Sequence, residues 1–253
     1  MSGTHGSPKW LVPDWPAPAH VRAISTLRAG GMSAGDFASF NLATHVGDDP
    51  EAVRENRRSL RQALDLKLEP AWLNQIHGTV VVEADQFETP PSADAAVATR
   101  SDQPCVVMTA DCLPVLFCDR AGTKVAAAHA GWRGLVGGVL ANTVTRLDTE
   151  PRELIAWMGP AIEQTAFEVG DEVREQFLAR DRADAVAFSA NARGKWQADL
   201  YVLARRELRR LGVAGIHGGG FECFADTKRF FSYRRHSRTG RMATMVWIDE
   251  GRR

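Results

Sequence analysis

Short apolar runs separated by turn residues dominate the middle of this chain, and stretches with apolar residues three or four apart flank them. The runs Thr79 to Glu83, Ala95 to Ala98, Cys105 to Thr109, Val115 to Cys118, Val125 to His129 and Leu154 to Met158 predict buried strands, being short, rich in Val and Ala and bounded by breakers. Strands are also predicted over Val21 to Leu27, near Phe230 to Tyr233 and over Met242 to Ile248. Val53, Leu60 and Leu64 share one helical face. Asp48-Asp49-Pro50 opens that helix, with Asp as N-cap and Pro at the first helical position. A second helix is predicted from about Arg133 to Leu147, weakened by Gly134, Gly137 and Gly138. Asp199 caps a third, which carries Leu200, Ala204, Leu208 and Leu211 on one face.

Strands and helices alternate without a regular βαβ rhythm, which predicts a mixed α/β or α+β domain. Prolines at 8, 13, 16 and 18 make residues 1–20 read as an extended arm on the body. With no repeat, low-complexity tract or linker, residues 21–253 read as a single domain. The stretch Arg28 to Gly35 holds three glycines, which permit positive φ or close backbone approach.

Composition narrows the class. The 253 residues are 44% hydrophobic and 25% charged, the balance of a globular protein. Lys plus Arg and Asp plus Glu are 31 each, so the net charge is zero, and nothing favours a nucleic-acid partner. The arginines at 205, 206, 209 and 210 read as a solvated helix face. No apolar run reaches the roughly 18 residues of a membrane span. Residues 1–20 lack a secretory pattern. A cytoplasmic location is expected, where Cys105, Cys112, Cys118 and Cys223 stay reduced. Oligomeric state leaves no signature in the sequence.

Three clusters place a reactive side chain beside Gly or Pro at a strand end: Asn74-Gln-Ile-His-Gly78, Thr109-Ala-Asp-Cys-Leu-Pro114 and Ala128-His-Ala-Gly-Trp-Arg-Gly134. Loops after strands are where rigid scaffolds present functional groups. Two imidazoles and a thiolate, from His77, Cys112 and His129, suit Zn²⁺, and three protein ligands leave a fourth position open for chemistry. Their separations of 35 and 17 positions match no short zinc motif.

Together, NQIHG, TADCLP and AHAGWRG resemble the YfiH family of laccase-domain or purine nucleoside phosphorylase-like proteins. So do ADAAVAT from Ala93, GPAIEQTAFEVGDEV from Gly159, FFSYRR and TGRMA after Phe230, and LRAGGMSAGDFASFNLATHVGDDP near the start. One departure is Leu27, where that family would place a Thr before the arginine. The resemblance implies a single-domain layered sandwich with mixed sheets and a zinc held by His77, Cys112 and His129. It also implies phosphorolysis of adenosine, inosine, guanosine and methylthioadenosine, with adenosine deamination.

Such chemistry needs a phosphate held by Arg or by free backbone N–H groups. Arg28 and Arg133 are the candidates. His45 and Asp111 are candidate proton-transfer groups, although Asp111 serves equally well as a carboxylate orienting His77 or His129. Asn41, Gln75 and Tyr233 are candidates for a base or ribose. The cytidine-deaminase pattern is absent, since no His is followed two positions later by Glu and there is no CxxC. A copper polyphenol oxidase is the second reading: a His-Cys-His site accepts Cu²⁺. Against it, the seven histidines (5, 20, 45, 77, 129, 217 and 236) form no H-x-H pair of the laccase type. A hydrolase with Cys112 as nucleophile uses the same residues. A non-catalytic binding domain would not require the three side chains to converge.

Overall fold

Alternate residues of the predicted strands face opposite ways into two apolar layers, and this divides the chain into two sheets packed face to face. The computed structural model describes residues 7–252; residues 1–6 of the expected arm lie outside it. In chain order the elements are β1 (Trp10–Leu11), β2 (Val21–Thr26), α1 (Pro50–Leu64), β3 (Val81–Glu83), β4 (Ala95–Ala98), β5 (Cys105–Thr109), β6 (Leu113–Asp119) and β7 (Val125–Ala130). There follow α2 (Trp132–Gly137), α3 (Val139–Leu147), β8 (Leu154–Met158), β9 (Glu168–Val169), α4 (Asp171–Arg180), β10 (Phe188–Ala190), β11 (Trp196–Ala198), α5 (Leu200–Arg210), β12 (Gly215–Gly218) and β13 (Met242–Ile248).

One sheet has the order β1-β2-β13-β5 and the other β12-β8-β6-β7-β4-β3, mixed because β12–β8 and β3–β4 are parallel pairs. Val21, Ala23, Cys105, Val107, Val246 and Ile248 of the first sheet pack on Ala96, Leu116, Cys118, Val125 and Ala127 of the second. The intervening residues face outwards. Val106, Met108, Met245 and Trp247 meet Leu60 and Leu64 of α1. Val115, Phe117, Ala126 and Ala128 meet Leu140 and Leu147 of α3 and Leu203 and Leu208 of α5. The result is a helix–sheet–sheet–helix layering, and a small sheet of order β10-β11-β9 adds Val169, Phe188 and Ala198 to that last core. Among the described residues no helix is long and apolar enough to cross a membrane.

Local chemistry explains several element ends. Asp49 accepts from the Glu51 N–H at 2.9 Å, and Asp199 from the Val202 N–H at 2.9 Å, as N-caps. The single helix expected over 133–147 is two, because Gly138 sits at φ 101, a conformation α-helix excludes. The strand expected near Phe230 to Tyr233 is absent. Phe230 N–H bonds back to Asp226 O and His236 N–H to Ser232 O, so the segment is a string of turns that buries Phe230 and Phe231 fully. The apolar pair fills a core without an extended backbone. The arginine cluster is a solvated face only in part: Arg209 is exposed, but Arg206 and Arg210 bind Asp184, which is 1% exposed, at 2.6 and 3.1 Å. Trp10–Leu11 of the N-terminal stretch joins β2 as an edge strand.

Candidate metal centre

The end of the sandwich where β5 crosses into β6 and β7 finishes brings the three reactive clusters together. His129 follows Val125 and Ala127 on the face of β7 turned towards the other sheet, and the core ends at it. Cys112 closes the crossover Ala110-Asp111-Cys112, which carries the chain from β5 in one sheet to β6 in the other. Its neighbour Asp111 takes φ 90. His77 sits at φ 60 in the turn before β3. Left-handed conformations at non-glycine residues are held only where surrounding bonds over-determine them.

Here those bonds are visible. The Asp94 carboxylate, fully buried, accepts from the N–H groups of His77 at 2.9 Å and Gly78 at 2.6 Å, and from Nδ1 of His129 at 2.8 Å. Asp111 is fixed by the Arg234 N–H, which donates to its Oδ2 at 2.6 Å, and by its carbonyl, which accepts from the Ile162 N–H. Asp111 therefore does not orient the histidines; Asp94 occupies that place. Its position follows from the register, since Ala95 pairs with Ala128 and this sets Asp94 opposite His129.

The donor atoms of His77, Cys112 and His129 lie within 4.8 Å of one another, and Cys112 Sγ is 3.9 Å from His77 Nε2. Donors around one tetrahedral zinc stand roughly 3.4–3.6 Å apart, so a small contraction would close them on an ion. Gly131 leaves the room: a Cβ there would stand 2.9 Å from Cys112 Sγ and 3.3 Å from His77 Cδ2. Gly134 likewise lets α2 approach, since its Cβ would lie 2.9 Å from Gly78 O. The donor set and the space both fit a borderline-soft divalent ion.

The electrostatics favour an ionised sulfur. Burial opposes it, but the His129 imidazole, by charge and hydrogen bond, and His77 outweigh burial and bring the Cys112 thiol down to about 6. Burial also opposes charge on His129, yet Cys112 and Asp94 raise it to about 9. Burial pushes Asp94 upwards, and the bonds from His129, Gly78 and His77 reverse this, holding it below the usual carboxylate range. Burial raises the Asp111 carboxyl. His45 is lowered by burial and by the charges of Arg241, Arg57 and His77.

A cavity of about 560 Å³ opens over the three donors, a size suited to a small molecule. His45, Gln75, Asp111, Arg133 and Tyr233 line it. Gln75 has both ends of its amide bonded to the Met108 backbone, at 2.7 and 2.8 Å. Arg28 does not line the cavity: its guanidinium donates to Ala38 O and Thr227 O and lies over Phe231. The glycine turn beside it accommodates the chain itself, with Gly31 against Ser39 O. Asn41 is wholly buried behind the wall, bonded to Ala43, Asp48 and the Arg241 N–H.

Two arginines that sequence reasoning passed over, Arg234 and Arg241, line the cavity with Arg133. Each of the three lies over a lining aromatic ring: Arg133 on Trp132 at 4.5 Å, Arg234 on Phe167 at 5.5 Å and Arg241 on Tyr233 at 5.7 Å. Among the described residues none of the three pairs with a carboxylate. Burial lowers Arg241, against the pull of Cys112 and Asp111. The signal for these residues lay in FFSYRR and TGRMA, which entered only as motifs of the family resemblance.

Comparison with known proteins identifies the family and supports the fold. The sequence pattern of the family described as multi-copper polyphenol oxidoreductase laccase matches residues 22–249. A purine nucleoside phosphorylase of Pseudomonas aeruginosa is 54% identical, over 95% of this chain and 99% of that one. The purine nucleoside phosphorylase YfiH of Escherichia coli is 48% identical, over 95% and 99%. Among solved structures, a Neisseria meningitidis protein has a TM-score of 0.92 at 53% identity, covering 95% of this chain and 99% of that one. YlmD from Geobacillus stearothermophilus has a TM-score of 0.88 at 30% identity, over 99% and 98%. The chain belongs to this laccase-domain family, that of the YfiH proteins.

Proposed function

We propose that the chain is a zinc-dependent purine nucleoside phosphorylase that cleaves adenosine, inosine, guanosine and methylthioadenosine with phosphate, and that it also deaminates adenosine. The observation that carries this reading is the pairing of a His-Cys-His donor set with three arginines around one cavity that form no ion pair with a carboxylate among the described residues. The names of the two relatives above point the same way.

His77, Cys112 and His129 would hold the ion. Zinc supplies Lewis acidity, which makes water a competent nucleophile near neutral pH. Arg133, Arg234 and Arg241 bind phosphate, whose oxygens match the planar guanidinium fork. Their stacking on Trp132, Phe167 and Tyr233 fixes those forks before the anion arrives. His45, whose pKa is lowered by burial and by its cationic neighbours, accepts a proton, and Asp111 is the second proton-transfer group. Tyr233, more than half exposed, hydrogen-bonds base or ribose. Copper binding at the same donors is the competing reading, favoured by the family's description. Among the described residues, however, one His/Cys cluster of three is present, short of a multicopper set.

Purified protein is expected to carry one equivalent of zinc and to release free base from inosine or adenosine only with phosphate. Cys112→Ala should lose both metal and turnover. Full turnover in a metal-free Cys112→Ala protein, or base release independent of phosphate, refutes the reading. Turnover that requires O₂ supports the oxidase instead.

A further inference from the structure

One carboxylate holds two of the three donor residues, and it does so in two different ways. Asp94 is fully buried at the head of β4. Its Oδ1 accepts from His129 Nδ1 at 2.8 Å and from the His77 N–H at 2.9 Å. Its Oδ2 accepts from the N–H groups of Gly78 at 2.6 Å and Ile76 at 3.3 Å. Its main chain continues the pattern: the carbonyl accepts from the His129 N–H at 2.7 Å, and the N–H donates to Val80 O at 3.0 Å. Every bond runs either to His129 or to the stretch that carries His77.

On His129 the carboxylate acts through the ring. A proton on Nδ1 is held by Oδ1, which leaves Nε2 as the nitrogen presented to Cys112. On His77 it acts only through the backbone, gathering three successive N–H groups and holding a histidine at φ 60. That conformation costs an L-residue roughly 1–2 kcal/mol when nothing supports it. Carboxylates that fix ligand histidines in this manner tune affinity at metal sites generally.

We propose that Asp94 is a positioning residue that sets the affinity of the His77–Cys112–His129 site for a divalent ion by fixing one imidazole through its ring and the other through its turn. The proposal rests on the metal-binding reading above.

Zinc titration against a chromophoric chelator tests it. Asp94→Asn preserves shape but turns an amide N–H₂ towards donors that need an acceptor. Its zinc affinity should fall about 10- to 100-fold, with cooperative thermal unfolding retained. Asn74→Ala, which removes the bond from Asn74 Nδ2 to Ser92 Oγ in the same turn, is the control and should bind zinc like the parent. Histidine ¹⁵N spectra of the zinc-loaded parent should show His129 protonated at Nδ1 and coordinating through Nε2. In Asp94→Asn the tautomer preference of His129 should be lost, whereas His77, held only through its backbone, should keep its tautomer. An undiminished affinity in Asp94→Asn overturns the proposal, as does coordination by His129 through Nδ1. Should Asp94→Asn fail to fold, the parent spectrum decides. A parent protein that binds no zinc refutes the metal reading itself, and the first titration shows this before any variant is compared.

Discussion

Gly131→Ala isolates the space that the three donors need. Gly131 has φ −59 and ψ 157, which any residue adopts, so backbone strain does not enter. In the unfolded chain alanine is the stiffer residue, which by itself favours folding by about 0.4–1 kcal/mol. The added methyl would stand 2.9 Å from Cys112 Sγ and 3.3 Å from His77 Cδ2. Comfortable separations are about 3.5–4.0 Å, so the sulfur must retreat by roughly 0.6 Å or more. In the metal-free protein it can, because Cys112 is only partly buried and His77 is exposed. A bound ion removes that freedom, since its bond lengths tolerate only about 0.2 Å. Overpacking of this kind costs about 1–3 kcal/mol, which falls on the bound state alone and equals about 5- to 150-fold in affinity. Chelator competition measures that loss, and thermal melting in chelator checks that the metal-free fold is unaltered. A Gly131→Ala protein that binds zinc within about two-fold of the parent would refute the reasoning, as the methyl would then share the cavity with the ion.

Two further outcomes follow from side chains described above. Arg241→Ala and Arg234→Ala should each raise the KM for phosphate about ten-fold or more by removing a charge-assisted donor; melting should change little, and phosphate titration at saturating inosine is the measurement. Asp184→Asn should destabilise the protein by about 1–3 kcal/mol, less than a fully buried pair loses because Arg206 and Arg210 are about one-third exposed. Calorimetry should find Tm lowered by several degrees, with zinc content unchanged.

How much of this was legible beforehand depends on what each signal encodes. The helix at Pro50 was readable because Asp49 and Pro50 act locally, and so was the cap at Asp199. The strands β4 to β8 were readable as apolar runs, but not their partition between sheets. Every residue of β6 is buried, so no polar face marks which neighbours it joins. The pairing of β13 with β2 and β5 is a long-range outcome that no local pattern records. Phe230 and Phe231 looked like a strand because burial, not extension, is what apolar residues report. At the site, His77, Cys112 and His129 announced themselves by residue type. Asp94 did not, because an aspartate before Ala95 looks like a turn until the β4–β7 register sets it beside His129. Arg28 misled for the opposite reason: a glycine-flanked arginine suggests an anion, yet here the glycines make room for the chain's own carbonyls.

The place of β13 between β2 and β5 has a consequence for biosynthesis. Both of its neighbours leave the ribosome long before it does, so each must wait with the edge that β13 covers still bare. Arg241, which immediately precedes β13, reaches the cavity wall only when that strand docks. A nascent chain thus completes its arginine trio only once β13 has emerged and docked, and no polypeptide that stops short of that strand carries the whole arginine wall.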